Sequence, residues 1–286
     1  MGKWMDGFLE RLDRVREANR TGGGDTRIAI QHQLGKNTAR ERIDTLVDAG
    51  SFEEIGSLVT DPRPPIDGRT RPSPSDGVVM GFGRVDGKMA AVCAMDFSVM
   101  SGSLGSQAAW KMADWVEMAG QKRMPLITLF DTAGLRIGIK AGDCGLAGLG
   151  RLIKTYSRVS GVIPRIALVL GPCTGLMAAL AVLSDFLIMT EDTAFLWYGG
   201  EKQSDEAGTA EFHMEKSGQC DLMARDDQEA IQRAKDLLAF LPGSCWERPP
   251  DEESGDDPER REAALLDVMP DDPKFTYDIH EIIDLI

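Results

Sequence analysis

Short apolar runs alternate with longer segments of helical spacing through the middle of the chain. Three helix and strand pairs follow one another: helix 105–120 with strand 125–131, helix 145–160 with strand 165–171, and helix 175–183 with strand 185–190. The strands are apolar at most positions, as expected of strands that are buried on both faces. The pattern therefore predicts an α/β fold built on a parallel sheet covered by helices on both sides.

The segments before this region carry local signals for two helices and a hairpin. Apolar residues recur at helical spacing within residues 1–20, which predicts an amphipathic helix, and the glycine-rich residues 21–27 predict a flexible break. Thr38 followed by Glu41 forms a capping box and predicts the start of a second helix. The Asp-Gly pair at 86–87 lies between two apolar runs and predicts a tight hairpin turn.

Polar, proline-rich segments mark the borders of the main domain. Residues 61–77 contain several prolines and three arginines, which predicts a long loop, and residues 243–263 combine prolines with dense acidic charge, which predicts a linker. Three parts are expected: an N-terminal helix and flexible break over 1–27, the main domain over 28–242, and an acidic linker with a C-terminal segment over 243–286.

The longest apolar stretch runs from Ile166 to Leu183 and holds 18 uncharged residues, close to the lower limit for a transmembrane helix. Arg165 and Asp185 close it on both sides, and a Gly-Pro pair interrupts it at 171–172. This order predicts a buried strand, a turn and a buried helix, and not a membrane span.

The composition narrows the classes of partner. The formal net charge of −14 argues against general binding of nucleic acid or an anionic membrane surface, because both reward a basic face. Five cysteines lie far apart without a CxxC pair, which indicates neither a zinc site nor a disulfide framework. Residues 1–20 lack the apolar core of a signal peptide, so we expect a cytoplasmic protein with reduced thiols and no bound metal.

Three glycine-bearing turns fall at or near the carboxyl ends of predicted strands, over 98–106, 131–138 and 171–176. In each, small residues leave backbone N–H groups uncovered at the start of a helix, where the helix dipole favours negative charge. Such a turn suits an anion or an oxyanion. The same glycines are also expected wherever a strand turns tightly into a helix.

Side chains offer little catalytic chemistry. His32, His213 and His280 have no neighbouring nucleophile or metal-spaced partner in the sequence, and no serine lies in a GxSxG turn. Cys173, in an apolar turn, is typical of a small buried filler. Any chemistry is therefore expected to come from backbone donors.

Six motifs in a fixed order carry a family resemblance: GKNTARERIDTLVDAGSFEEIG, SDGVVMGFGRVDGK, SGSLGS, DTAGLRI, SGVIPRIALVLGPCTG and SDFLIM. With the segment that follows them, they resemble the amino-terminal half of the carboxyltransferase subunit of biotin-dependent acyl-CoA carboxylases and decarboxylases, such as the propionyl-CoA carboxylase β subunit. The resemblance covers about residues 35–286. It implies a crotonase-like ββα superhelix with a single N-type carboxyltransferase domain.

The resemblance also implies an activity, in which a carboxyl group moves between carboxybiotin and the α-carbon of an acyl-CoA through an enolate. The family's oxyanion turn lies on GPCTGL and implies Gly175 and Leu176 as N–H donors, with Ala133 and Gly134 as a secondary pair. The CoA phosphates need cations, so Arg136, Lys140, Arg69 and Arg71 are expected to bind CoA from their location in or near the glycine loops, together with Gly102 and Gly105. A hetero-oligomer is implied, with a second carboxyltransferase half and a biotin carboxyl carrier protein as partners.

The sequence departs from the family in two respects. Leu176 stands where the family has a second glycine, and the chain stops where the family's second half would follow. The leading hypothesis is a split enzyme, and the sequence does not choose between carboxylation and decarboxylation. Three alternatives stay open: a biotin-independent crotonase-like decarboxylase using Tyr156, Asp131 or Asp185 as acid or base, a malonate decarboxylase subunit, and a non-catalytic CoA-binding scaffold.

Overall fold

The computed structural model describes residues 3–61, 73–136, 145–199, 206–251, 255, 257 and 259–286. The chain forms two compact units, Met1–Pro250 and Asp251–Ile286. The first unit contains helices α1 Lys3–Thr21, α2 Asp25–Gln33, α3 Ala39–Leu46, α4 Ser106–Lys122, α5 Gly145–Arg158, α6 Leu176–Val182, α7 Ala210–Phe212 and α8 Asp227–Phe240. Its strands are β1 Glu53–Glu54, β2 Val78–Val85, β3 Lys88–Met95, β4 Leu126–Thr132, β5 Arg165–Thr174, β6 Phe186–Thr190, β7 Phe195–Trp197 and β8 Leu222–Ala224. The second unit contains α9 Leu265–Val268 and α10 Ile279–Leu285.

The described strands form one mixed sheet in the order β1-β2-β3-β4-β5-β6-β8, with β7 beside the end of β5. Strands β1, β2 and β3 are antiparallel, and the remaining pairs are parallel. The predicted hairpin is confirmed, because Val85 pairs with Lys88 across a two-residue loop in which Asp86 and Gly87 both have positive φ. The predicted parallel sheet is confirmed for β3 to β6, and the antiparallel hairpin is joined to its edge.

The core lies on both faces of the sheet, as the apolar strands predict. Alternate residues of β3 and β5 enter two separate clusters of buried apolar side chains. Helices α4, α5 and α6 cover one cluster, and α3 and α8 cover the other. This double covering explains why strand positions on either face are apolar.

The longest apolar stretch is divided between a strand and a helix. Strand β5 ends at Thr174, Gly175 is the N-cap, and α6 has seven residues. The predicted strand, turn and helix are therefore confirmed. In the described part of the chain, no helix combines the length and the apolar character that a membrane crossing requires.

The N-terminal segment confirms the capping box and corrects the role of the glycines after α1. Thr38 accepts a hydrogen bond from the Glu41 N–H, and the Glu41 side chain accepts from the Thr38 N–H. A Cβ at Gly23 would lie 1.9 Å from the Ser98 carbonyl oxygen. Gly22 and Gly23, predicted as part of a flexible break, thus pack closely against Asp96 and Ser98, which follow β3.

Candidate active site

The carboxyl ends of β4 and β5 bring two glycine turns into contact. Thr132 pairs with Cys173 at the last position of this ladder, so both strands end side by side. Gly134 has a φ of 92°, and a Cβ there would lie 2.8 Å from Thr174 Oγ1 and 2.9 Å from the Thr174 carbonyl oxygen. A side chain at Gly134 would therefore separate the two turns.

The first glycine turn, over 98–106, lies against the same strand ends. A Cβ at Gly102 would lie 2.2 Å from the Asp131 carbonyl oxygen, and Leu104 forms a parallel bridge with Leu135. All three glycine turns singled out in the sequence thus meet at the carboxyl ends of β4 and β5. Open α/β sheets bind their ligands at the carboxyl ends of their strands.

The N–H groups at the start of α6 differ in their availability. Gly175, with φ 61° and ψ −133°, donates its N–H to the Trp197 carbonyl oxygen at 2.8 Å. No described residue accepts a hydrogen bond from the N–H of Leu176, Met177 or Ala178. The expected donor pair is corrected at Gly175, and the unpaired donors of this turn begin at Leu176.

The secondary donor pair is also used within the fold. The Ala133 N–H donates to the Ser101 carbonyl oxygen at 2.9 Å, and the Gly134 N–H donates to Thr132 Oγ1 at 3.0 Å. The next amide, that of Leu135, differs. The Leu104 N–H donates to the Gly134 carbonyl oxygen, and the Leu104 carbonyl oxygen accepts from the Arg136 N–H. The Leu135 N–H between them therefore points away from Leu104. No described residue accepts from the Leu135 N–H. The sequence did not single out this donor.

Arg136 was predicted to contact CoA and is instead part of the scaffold. It is 4% exposed, ion-paired with Asp76 and with Asp61, and donates to the Ser103 carbonyl oxygen at 2.7 Å. A Cβ at Gly105 would lie 2.5 Å from Arg136 Nη1, so this glycine makes room for the guanidinium.

Asp76 completes this arrangement at the start of α4. It accepts from the Ala108 N–H at 2.8 Å, and burial raises its pKa while Arg136 opposes that effect. This carboxylate binds the start of the helix that follows the first glycine turn, a position predicted to suit an anion. Among the other residues implied for CoA, Lys140, Arg69 and Arg71 lie outside the described residues.

The side chains considered as acid or base have other roles. Tyr156 bonds Ser184 Oγ at 2.7 Å, Asp185 pairs with Arg165 at 2.7 Å, and burial raises the pKa of Tyr156 to about 12. Arg165 begins β5, whereas the turn follows Thr174, about 30 Å away along a strand of ten residues. Tyr156 and Asp185 thus lie at the amino ends of the strands, opposite the glycine turns.

The thiol and the imidazoles fit structural roles. Cys173 is fully buried, and burial followed by the charge of Asp131 raises its pKa well above the usual value, which disfavours a thiolate. His213 contacts Ser217 and the Leu196 carbonyl oxygen. No cluster of metal-binding side chains occurs among the described residues.

Comparison with known families decides the assignment. The sequence model of the carboxyl transferase domain matches residues 30–286. The chain belongs to the carboxyl transferase domain family. This membership confirms the resemblance carried by the six ordered motifs, and the fold is the crotonase-like α/β fold of that family.

Individual members of the carboxyl transferase family show how much of their length the chain represents. It is 36% identical to the propionyl-CoA carboxylase beta chain of Roseobacter denitrificans, over 98% of this chain and 56% of the relative. It is similar to the transcarboxylase 12S crystal structure with methylmalonyl-coenzyme A bound, with a TM-score of 0.84, 34% identity and coverage of 99% of this chain and 57% of that one. The chain thus spans about half the length of these relatives.

A third similarity is to a shorter chain. One chain of the Pseudomonas malonate decarboxylase MdcD-MdcE hetero-dimer matches with a TM-score of 0.57 and 25% identity. The match covers 74% of this chain and 89% of that chain. Solved chains that are similar to this one over most of their own length therefore include a subunit of a hetero-dimer.

Proposed function

We propose that this chain is the acyl-CoA-binding half of a carboxyltransferase, and that it moves a carboxyl group to or from the α-carbon of an acyl-CoA. The observation that carries the proposal is the unpaired Leu176 N–H at the start of α6, located where three glycine turns meet. Membership of the carboxyl transferase domain family supports the reaction class.

The chemistry needs stabilisation of negative charge on the thioester oxygen. When a carboxyl group leaves or joins the α-carbon, the thioester passes through an enolate whose charge lies largely on oxygen. In the proposal, the Leu176 N–H donates to this oxygen. The Leu135 N–H, on the adjoining turn, is the second candidate donor to it. Loss of one such preorganised donor typically costs about 3–4 kcal/mol of transition-state stabilisation.

Side chains of this chain supply no proton transfer in the proposal. Asp131 is fully buried and ion-paired, and Tyr156 and Asp185 lie at the amino ends of the strands, away from the glycine turns. The carboxyl group is exchanged with biotin held on a partner protein, and no residue of this chain is assigned to it. We propose that a second carboxyltransferase half and a biotin carboxyl carrier protein complete the hetero-oligomer.

Reconstitution tests the proposal. The chain is assayed for methylmalonyl-CoA-dependent carboxylation of free biotin, alone and together with a separate polypeptide that bears the second crotonase-like half. We expect no transfer by the single chain and transfer by the mixture. Full activity of the single chain would contradict the split arrangement, and tight binding of acyl-CoA with no turnover in any mixture would favour a CoA-binding scaffold.

A second candidate is a subunit of a malonate decarboxylase type of enzyme, which the length of the matching hetero-dimer chain favours. Its substrate would be a malonyl thioester, and the same Leu176 N–H would stabilise the enolate left by loss of carbon dioxide. Release of carbon dioxide from a malonyl thioester in the absence of biotin distinguishes it from the leading proposal.

A further inference from the structure

Asp131, the first residue of the second glycine turn, is held by three side chains from the N-terminal segment. Its carboxylate is fully buried and accepts from Lys36 Nζ at 3.0 Å, from Arg42 at 2.9 Å and from Gln31 at 3.0 Å. Lys36 and Arg42 are themselves 5% and 1% exposed. Buried charges of this kind persist only when they are paired and hydrogen-bonded.

The same residue touches all three glycine turns. Its carbonyl oxygen lies against Gly102, and its carboxylate lies where a Cβ of Gly171 would approach Oδ1 to 2.1 Å. Its own chain continues directly into Thr132 and Gly134. One residue therefore contacts the first and third turns while it begins the second.

Arg42, one of the two cations paired with Asp131, also bonds residues of other elements. Arg42 bonds Asp227 at 2.7 Å, next to the start of α8, and donates to the Leu170 carbonyl oxygen at 3.1 Å. The cluster of Asp131, Lys36 and Arg42 thus joins the α2–α3 segment, the ends of β4 and β5, and α8. None of the three side chains is exposed enough to touch a substrate.

We propose that Asp131 is a positioning residue, and that its ion pairs with Lys36 and Arg42 hold the three glycine turns in one fixed arrangement. The link to carboxyl transfer rests on the proposed function, whereas the effect on the turns does not. Removing one cation leaves part of the buried carboxylate charge unpaired, so the turns around it are expected to open more often.

Hydrogen exchange of the intact chain tests this proposal. We compare Lys36→Gln with Arg40→Gln, which removes the same charge from the neighbouring helix α3. Arg40 pairs with Glu54 at 2.9 Å and bonds the Asn19 carbonyl oxygen, and no described glycine turn bonds its side chain. We expect the amides of Ala133, Gly134 and Gly175 to exchange about tenfold faster in Lys36→Gln and at the original rate in Arg40→Gln.

Two outcomes would overturn the proposal: faster exchange confined to residues 31–42, or an equal increase at the turns in Arg40→Gln. If Lys36→Gln does not fold, Gln31→Met removes a neutral donor to the same carboxylate and is expected to raise exchange at the same three amides by a smaller factor. In a reconstituted enzyme, kcat is expected to fall while KM for acyl-CoA changes less than about twofold. Absence of activity in the unmodified mixture would count against the proposed function alone, since the exchange result does not depend on it.

Discussion

At the scale of single residues, glycines at the meeting point of the turns fix how closely backbones approach. Gly134→Ala would add a Cβ within 3 Å of Thr174 and force a non-glycine residue to a φ of 92°. We expect a loss of roughly 2 kcal/mol or more in the free energy of unfolding, since backbone strain alone costs about 1–3 kcal/mol. Urea unfolding measures this change.

Gly150→Ala is the matched control for that substitution. Gly150 lies in α5, and an added Cβ would have no atom within 4 Å. Alanine favours the helix, so the control is expected to gain about 0.5–1 kcal/mol. Equal urea midpoints for Gly134→Ala and the unmodified protein would show that the two turns do not need this close contact.

The sequence located the turns at residue scale but not the bonds within them. A glycine at the end of an apolar run is a local signal that predicts a turn. The acceptor of the Gly175 N–H is not local, because it is the Trp197 carbonyl oxygen, on a strand further along the chain. The partners of Arg136 include Asp76, which is 60 residues earlier. A position near a glycine loop therefore indicated where Arg136 lies and gave no information on what it binds.

At the scale of elements, local patterns predicted most boundaries because their causes are local. The capping box at Thr38, the hairpin at 86–87 and the break at Gly175 each depend on neighbouring residues. The attachment of the hairpin strand β3 to β4 depends on tertiary packing and was not predicted. Short strands such as β7, with three residues, carry too little pattern to be recognised.

Helix α4 contains a buried lysine that links the stability of the fold to pH. Lys111 is 8% exposed and donates to the Ser75 and Val78 carbonyl oxygens at 2.6 Å. Burial lowers its pKa from 10.5 to about 8. The folded protein therefore loses this proton at a lower pH than the unfolded chain does.

Between about pH 8 and pH 10.5, the unfolded state binds more protons at this site, so the free energy of unfolding rises with pH. The rise attributable to Lys111 is roughly 3 kcal/mol, because each unit of pKa corresponds to about 1.4 kcal/mol. Lys111→Met lacks this contribution and also loses the two bonds to carbonyl oxygens. Urea unfolding over this range should show the stability of the unmodified protein rising relative to the variant, and parallel pH curves would refute the assignment.

At the scale of the whole molecule, the sequence identified the family and left its assembly open. Six motifs in a fixed order were sufficient for the family, and the match over residues 30–286 confirms it. The chain represents 56% of the propionyl-CoA carboxylase beta chain that it resembles, so the complete activity is proposed for an assembly. Its formal charge of −14 means that any CoA phosphate site must be a local one.

The proposed reaction depends on one backbone N–H, that of Leu176, and Leu176→Pro removes this donor with little expected effect on the fold. Proline is favoured at the first position of a helix, and no described residue uses the Leu176 N–H. Leu176→Ala is the control, because it removes the side chain and keeps the donor. Equal urea midpoints for the two variants would establish that both are folded.

The decisive measurement is kcat for carboxyl transfer by both variants, reconstituted with the second half. We expect Leu176→Pro to lose about 10²–10³-fold in kcat, the usual effect of removing one oxyanion donor, while Leu176→Ala stays within a few-fold of the unmodified protein. A Leu176→Pro enzyme as fast as Leu176→Ala would contradict the assignment of this N–H to the thioester oxygen.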